Sequence, residues 1–533
     1  MAQACESHSI RVGVVPNPHA MICTMRIVVS RLFEPRGWAV FAAFSAFGVA
    51  VMLMPVAHAA KPNLVIGMTL EPPGLDPTSG ASSAIAEIVH YNVFETLTKI
   101  GADGQVTPLL ALSWTVSADL KTYTFKLRQG TRFQNGEPFN AAAVKFSFER
   151  AGAAKSTNKD RRLYSAISSI GTPDDATVVL TLSEVEPDFL FLIGQATGAI
   201  VEPKSAAGNA TSPVGTGPYQ FDSWAKGSAV TLKAWPGYRQ AVAVKIPRVN
   251  FRFISDPAAQ VAALLSGDVD AFPRVAAARS LGQFRKDKRF VVLSNPSRAK
   301  TILAINNRHK PLDDVRVRRA IAAAIDRRAV IEASADGFGV PIGSHYVPGA
   351  PGYVDMTGIS TYNPTRARAL LKEAGEDLKF RLPLTLSLKL PPTPYARQGG
   401  ELIAAQLAQV GITAKIENIE WAQWLSGVYA QRNYDLTLIS HVEPIDLGNY
   451  AKPGYYWGYD SAEFNKLFDS IKTARSEPDR LRLLGDAQRL IAKDAVAVYL
   501  YQPLWITVAK REVKGLWVEM PIFVNDVSWM SWE

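Results

Sequence analysis

Cysteine is nearly absent: Cys5 and Cys23 are the chain's two, and both precede Met25. Beyond that point no disulfide, zinc–thiolate site or cysteine nucleophile can be built. Histidine is scarce too. Past residue 59 only His90, His309, His345 and His441 remain, and none stands in His-Glu-x-x-His or another metal-ligand spacing. The chain also lacks a Gly-x-Ser-x-Gly nucleophile elbow and a Gly-x-Gly-x-x-Gly dinucleotide fingerprint. It has no dense Lys/Arg run with interleaved aromatics, so nucleic acid is not an expected partner. Internal repeats, low-complexity tracts and long linkers are missing as well. Paired catalytic carboxylates leave no local signature, so a hydrolase stays open as an alternative on these residues.

What is present is a folded-protein composition, with 47% hydrophobic and 20% charged residues in 533. That length exceeds one hydrophobic core and predicts two or three domains. The formal charge is +10. Residues 1–59 hold four arginines against Glu6 and Glu34, so the remainder keeps 54 basic against 46 acidic side chains, or +8. This reads as a mixed, solvated surface.

The N-terminus differs from the rest. Arg26, Arg31 and Arg36 precede the apolar stretch Trp38 to Val56, and Ala57-His58-Ala59 follows. Positive flank, apolar core and a small-x-small site predict a secretory signal peptide cleaved after Ala59, with a membrane anchor as the alternative. The segment before Met25 is long for such a signal, which makes Met25 a candidate start. No cysteine stands at the cleavage site for a lipid anchor, so a free periplasmic protein of a Gram-negative bacterium is expected.

Further along, β-type alternation and helical patterns interleave. Tyr123–Arg128, Thr177–Leu182 and Ala229–Lys233 read as strands. Asn140 caps a predicted helix to Arg150. Asp256-Pro257 opens a helix that Gly267 closes, and Asn363-Pro364 repeats the device with Gly375 as the stop. Between 384 and 440 a strand (Leu384–Leu390), a helix facing inward with Ile403, Leu407 and Val410, a strand (Ile412–Ile416), a helix with Trp421, Trp424 and Val428, and a strand (Asp435–Ile439) follow in turn. Such repetition implies a mixed or parallel sheet covered by helices. Pro348–Gly352 and Pro391–Pro394 read as loops.

Pro213-Val-Gly-Thr-Gly-Pro-Tyr219 carries two glycines fenced by prolines and predicts a sharp, rigid turn. It is no phosphate loop, since Gly-Lys-Ser/Thr is missing and Pro218 has no N–H. The run resembles the signature of the extracytoplasmic solute-binding proteins of the peptide/nickel ABC importer family. Other stretches extend the resemblance in order: Glu71-Pro-Pro-Gly-Leu-Asp-Pro77, Pro108–Trp114 leading into Tyr123–Gly130, then Phe133, Gly136, Pro138, Val144 and Phe148-Glu149-Arg150. Val315–Ala320 with Ala324–Arg327, and Tyr362–Pro364 with Leu370-Leu371 and Ala374-Gly375, continue it.

The resemblance implies an α/β, two-lobed periplasmic-binding-protein clamshell of type II, class C-like, with an extra subdomain in the first lobe. Residues 60–90, 213–299 and 503–533 would form lobe I, 91–212 the subdomain and 300–502 lobe II. The protein would capture a peptide-like or other small polar solute between the lobes, as a monomer without cofactor, and deliver it to the permease subunits of an ABC importer. A solute-sensing module is the other alternative. In peptide-binding members an acid just after a strand pairs with the peptide's amino terminus. Here Tyr434-Asp435 is followed by Glu443 and Asp446, which occupy that region without matching it residue for residue. Each could equally be a loop cap or a surface ion pair. Tyr450, Tyr455, Tyr456, Trp457 and Tyr459, with Trp421 and Trp424, suit either a cleft for amphipathic solutes or a core. His345 lies in a loop placed near the cleft, though a lone histidine is commonly structural. Arg274 could face an anion or lie on the surface. Tyr91 and Asn92 fall on a helix that the family turns toward the cleft.

Overall fold

The computed structural model describes residues 63–80 and 82–533, so the signal-peptide and Met25 readings lie outside the described residues. Among these no helix is long and apolar enough to cross a membrane. Strand patterns and capping devices act where the sequence places them. Thr122–Leu127, Thr177–Leu182, Ala229–Ala234 and Leu384–Leu390 are strands. Asn140 and Asp256 accept the amides of Ala143 and Ala259, and Gly267 closes its helix at φ +83°.

Four expectations need correction. The helix opened by Asn363-Pro364 runs through Gly375 to Leu378, and left-handed Lys379 ends it. Gly375 is tolerated because Ala374 and Leu371 keep the turn buried, and burial outweighs glycine's low helix propensity. Pro394 is the first residue of the helix Pro394–Ala408, where its missing N–H costs nothing. Val410 lies beyond that helix. The helix bearing Trp421 turns π-helical over Trp424–Ala430.

The main sheet has 12 strands and mixed direction. Ile412–Asn418, Leu384–Leu390, Leu436–His441 and Lys300–Ile305 make one end. Asn63–Met68, Arg248–Phe253, Ala229–Ala234 and Tyr219–Ala225 make the other. The long strand Ala497–Lys510 belongs to both: its start pairs with Lys300–Ile305 and its end with Phe290–Pro296 and Ala271–Phe272. A four-stranded antiparallel sheet, 111–116, 122–127, 177–182 and 167–174, stands apart with the helix Ala141–Gly152. It encloses a core of its own around Phe125, Phe133, Phe148 and Phe189.

Pro213–Tyr219 is not the positive-φ turn that its glycines suggest; neither Gly215 nor Gly217 has positive φ. Both are required because backbone meets backbone. A Cβ on Gly215 would lie 2.0 Å from the Val93 carbonyl oxygen, and one on Gly217 2.4 Å from that of Asn92. The amides of Gly217 and Tyr219 donate to those same carbonyls. Gln134 completes the joint, accepting from Gly215 N and donating to the Tyr219 carbonyl. Thr216 reaches Glu95, which Arg239 holds with both guanidinium arms at 2.6 and 2.7 Å. Gly215→Ala is therefore expected to cost about 1–3 kcal/mol through overpacking, read as a lower urea midpoint at unchanged m. An unchanged midpoint would contradict so close an approach.

Candidate functional site: a cleft beside the strand end at 440–446

Three cavities, of about 690, 320 and 100 Å³, adjoin one another at the shared wall residues Val442 and Phe523. Val442 and Glu443 leave the end of the strand Leu436–His441, while Ile522 and Phe523 come from the C-terminal tail opposite. The largest cavity is apolar and aromatic, with Tyr395, Trp421, Trp505 and Phe338 in its wall and Arg274 at one side. The 320 Å³ cavity is bounded by His90, Lys159, Gln195 and Glu443. The smallest lies among Glu443, Arg298 and Lys159. Apolar walls with few convergent polar groups are the usual design of a small-molecule site. Arg480, on the helix Glu477–Lys493, meets Asp188 of the separate four-stranded layer at 3.1 Å.

Behind Glu443 the strand end is anchored by a buried polar network. Lys300 Nζ pairs with Asp446 at 2.7 Å and donates to the Glu443 carbonyl. His345 Nε2 meets the other Asp446 oxygen at 2.8 Å, and Tyr450 lies 3.0 Å from its Nδ1. One tautomer satisfies both contacts: Nε2–H donates to the carboxylate and Nδ1 accepts from the phenol. His441 shares a hydrogen bond with Tyr456 at 2.9 Å. Burial alone would raise the Asp446 carboxyl, but the facing His345 and Lys300 more than offset it and hold it well below the usual carboxylate range. Burial lowers both imidazoles, His441 to about 3. Donor atoms of His345, His441 and Asp446 fall within 4.8 Å of one another, close enough for a metal ion. The chemistry is wrong for one: the His345 nitrogen that faces the cluster carries the proton, and Lys300 already neutralises Asp446.

Known proteins can be set against this geometry. A profile described as "Bacterial extracellular solute-binding proteins, family 5 Middle" matches residues 105–460. The dipeptide-binding protein of Escherichia coli (strain K12) is 30% identical over 522 residues, covering 89% of this chain and 95% of that one. The chain belongs to this family. The glutathione-binding protein GsiB of the same strain is 31% identical over 509 residues, with the same coverage. Among solved structures, AgaA from A. tumefaciens R10, in complex with agropinic acid, has TM-score 0.74 and 28% identity over 88% of this chain and 99% of its own. HbpA2 from Haemophilus parasuis, 22% identical over 88% and 100% of the two chains, shares the fold at TM-score 0.77. The fold of this family 5 protein is thus the two-lobed α/β clamshell, and the protein is the substrate-binding component of an ABC importer. Its relatives are binding proteins rather than enzymes.

The residues singled out in the sequence separate into three groups. Glu443, Arg274 and Trp421 line the cleft of the family 5 protein. Arg274 is not on the surface. It pairs with Glu87, stacks 5.3 Å from Trp505 and 5.2 Å from Phe523, and takes φ +58°. Burial lowers its pKa to about 10, and its Nη1 has no hydrogen-bond partner. Such backbone strain beside an incompletely paired charge is the pattern of a functional position. Asp446, His345, Trp424, Trp457, Tyr450 and Tyr456 lie behind the cleft wall, in the network or in the aromatic core that it borders. Tyr455 packs on that core, half-buried. Tyr91 and Asn92 follow the helix Ser83–Val89 rather than belonging to it, because Tyr91 turns left-handed at φ +60°. Their polar atoms bind internally: Tyr91 to Gly194 and Ile100, Asn92 to Ile88, Asn525 and Val527. Sequence reasoning missed Val442, Trp505, Phe523, Tyr395, Arg298 and His90. Phe523 and Trp505 come from distant segments with no local motif, and Tyr395 directly follows the proline run 391–394 that reads as a loop.

Proposed function

We propose that this protein captures a small zwitterionic, peptide-like solute, with Glu443 holding its cationic amino group. The observation that carries the reading is the position of Glu443. Glu443 lines two of the three cavities with its side chain more than half exposed and its carboxylate 3.9 Å from His441 Nδ1, while Lys300 and Asp446 fix the backbone beneath it. The names of the dipeptide- and glutathione-binding relatives support the peptide class. Arg274 and Trp421 flank the large cavity, which takes the solute's bulkier part. In this reading residues 60–90, 213–299 and 503–533 form lobe I, 91–212 the subdomain and 300–502 lobe II, joined where the chain crosses near 297–299 and 502–503. The protein is a periplasmic monomer, exported by the segment before Ala60, and binds without turnover. A solute favours closure only through contacts with both lobes.

Thermal-shift and calorimetric titration with Ala-Ala, glutathione and agropinic acid test the reading. A ligand at a hundred times its Kd should add about 2.7 kcal/mol of stability. Glu443→Gln is expected to weaken an amino-bearing ligand about tenfold or more, since a charge-assisted bond is lost. Unchanged affinity would remove Glu443 from the site, and hydrolysis of a peptide by the purified protein would end the binding-only reading.

A further inference from the structure

Between the strand Thr177–Leu182 and the short helix Phe189–Leu192 the chain passes through Glu184, Glu186 and Asp188. Asp188 stands at the N-cap position of that helix, yet its carboxylate leaves the helix uncapped. It reaches instead to Arg480, whose Nη1 lies 3.1 Å away although 292 positions separate the two in sequence. Local forces do not explain Arg480 either. It sits in the opening turn of the helix Glu477–Lys493, the end where a cation works against the helix dipole. Each side chain is only 20% exposed. Glu477 holds the guanidinium at 3.0 Å from its own helix, and the Glu186 carboxylate accepts the Asp188 amide, so both partners are presented in fixed positions. The surrounding charges are complementary, since Lys452 and Lys472 act on Glu186 against its burial. Burial raises the Asp188 carboxyl, and Arg480 opposes this without cancelling it. A pair whose attraction barely offsets its desolvation is a contact that can break and form again.

We propose that Asp188 and Arg480 form a latch between the subdomain and lobe II, which holds the clamshell shut over the solute without touching it. The inference rests on the lobe assignment above. Neither residue lines any of the three cavities described above, so the latch adds a closing contribution that is the same for every solute. The pair joins segments from the two sides and breaks when they part. On the lobe II side it rests against the wall behind the site. Tyr346 lies close enough for Asp188 and Arg480 to act on its buried phenol in opposite senses, and the adjacent His345 holds Asp446. A contact made only in the closed state raises the population of that state, and apparent affinity follows the population.

Calorimetry with Ala-Ala and glutathione, and small-angle X-ray scattering of the ligand-free protein, decide the matter. Arg480→Gln and Asp188→Asn should each weaken any probe that binds by about three- to tenfold, and both probes by the same factor, because the lost contact belongs to closure and not to the solute. The reversed pair, Asp188→Arg with Arg480→Asp, should regain most of that loss, which a merely structural defect would not. Asp188→Asn keeps the side chain's size and serves if Arg480→Gln does not fold. Single variants that bind as wild type does, or a loss that the reversed pair does not regain, overturn the proposal. If neither probe binds wild type, the peptide reading fails and the latch is judged by scattering alone. Ligand-free Arg480→Gln should then show a larger radius of gyration than wild type, and an equal radius overturns the latch.

Discussion

Lys300→Met is expected to destabilise the protein by about 3–5 kcal/mol, the loss that follows when one partner of a buried ion pair is removed. The ammonium is 2% exposed and meets a carboxylate that is 5% exposed. Without it, Asp446 keeps its negative charge among Tyr450, Tyr456, Trp457 and two neutral imidazoles, with His345 as its remaining close donor. Either the carboxylate stays charged and poorly solvated or it takes up a proton, and both raise the free energy of the native state. Removing both partners in Lys300→Met/Asp446→Leu should recover a substantial part of the loss, since no lone charge is then buried. Urea unfolding followed by tryptophan fluorescence reads both numbers from the midpoint and slope. The change reaches function as well. Lys300 also holds the Glu443 carbonyl, so the single variant should bind an amino-bearing ligand more weakly even where it is fully folded. A Lys300→Met protein as stable as wild type would mean that the network is not what fixes the strand end.

That coupling explains why some of the site was legible in the sequence and some was not. Local chemistry was readable. Asn140, Asp256 and Asn363 cap helices because a short polar side chain satisfies an amide of the first turn, a rule confined to four residues. Strands such as Leu384–Leu390 follow from alternation alone. Glu443 was found through its place after a strand, and Arg274 through its place after Asp270. The burial of Asp446 could not be read, because it depends on Lys300, 146 positions earlier, arriving on the neighbouring strand of the sheet. The same holds for the aromatic run at 450–459. Its composition fits a cleft or a core equally, and only the packing of Tyr450 on Trp457 at 4.4 Å and of Tyr456 beside His441 assigns these rings to the core. The glycine run shows a third case. Its presence was informative, but its cause is the backbone of residues 92–93 lying against it, a partner more than a hundred positions away.

The second large effect is on pH. Stability is expected to fall steeply as pH drops from about 6.5 toward 4, before most carboxylates titrate. His90 is 1% exposed and His441 8% exposed. Burial lowers both to about 3, helped at His90 by the charge of Lys99 and at His441 by His345, with Asp446 pulling the other way. Burial lowers His345 as well. In the unfolded chain each imidazole titrates near its ordinary 6.5. Above that pH both states are neutral there and the histidines contribute nothing to the pH dependence. Between 6.5 and 3 the unfolded chain carries protons that the native state refuses, so stability declines with falling pH by about 1.4 kcal/mol per unit for each such histidine. At pH 4.5 His90 and His441 together remove about 5 kcal/mol, a large part of a typical folding free energy. The depressed carboxyl of Asp446 adds its own loss further down, beginning as pH falls through the ordinary carboxylate range and continuing below it. Urea unfolding at pH 7.5, 6.0 and 4.5 measures the slope, and His441→Gln and His90→Gln should each flatten it by about one histidine's share. The effect bears on a binding protein directly. A ligand that closes the cleft stabilises the native state and so shifts the acid transition downward, which makes the pH midpoint itself an assay for the solute. A flat profile between pH 6.5 and 5 would place these imidazoles in contact with water and undo the buried network on which the position of Glu443 depends.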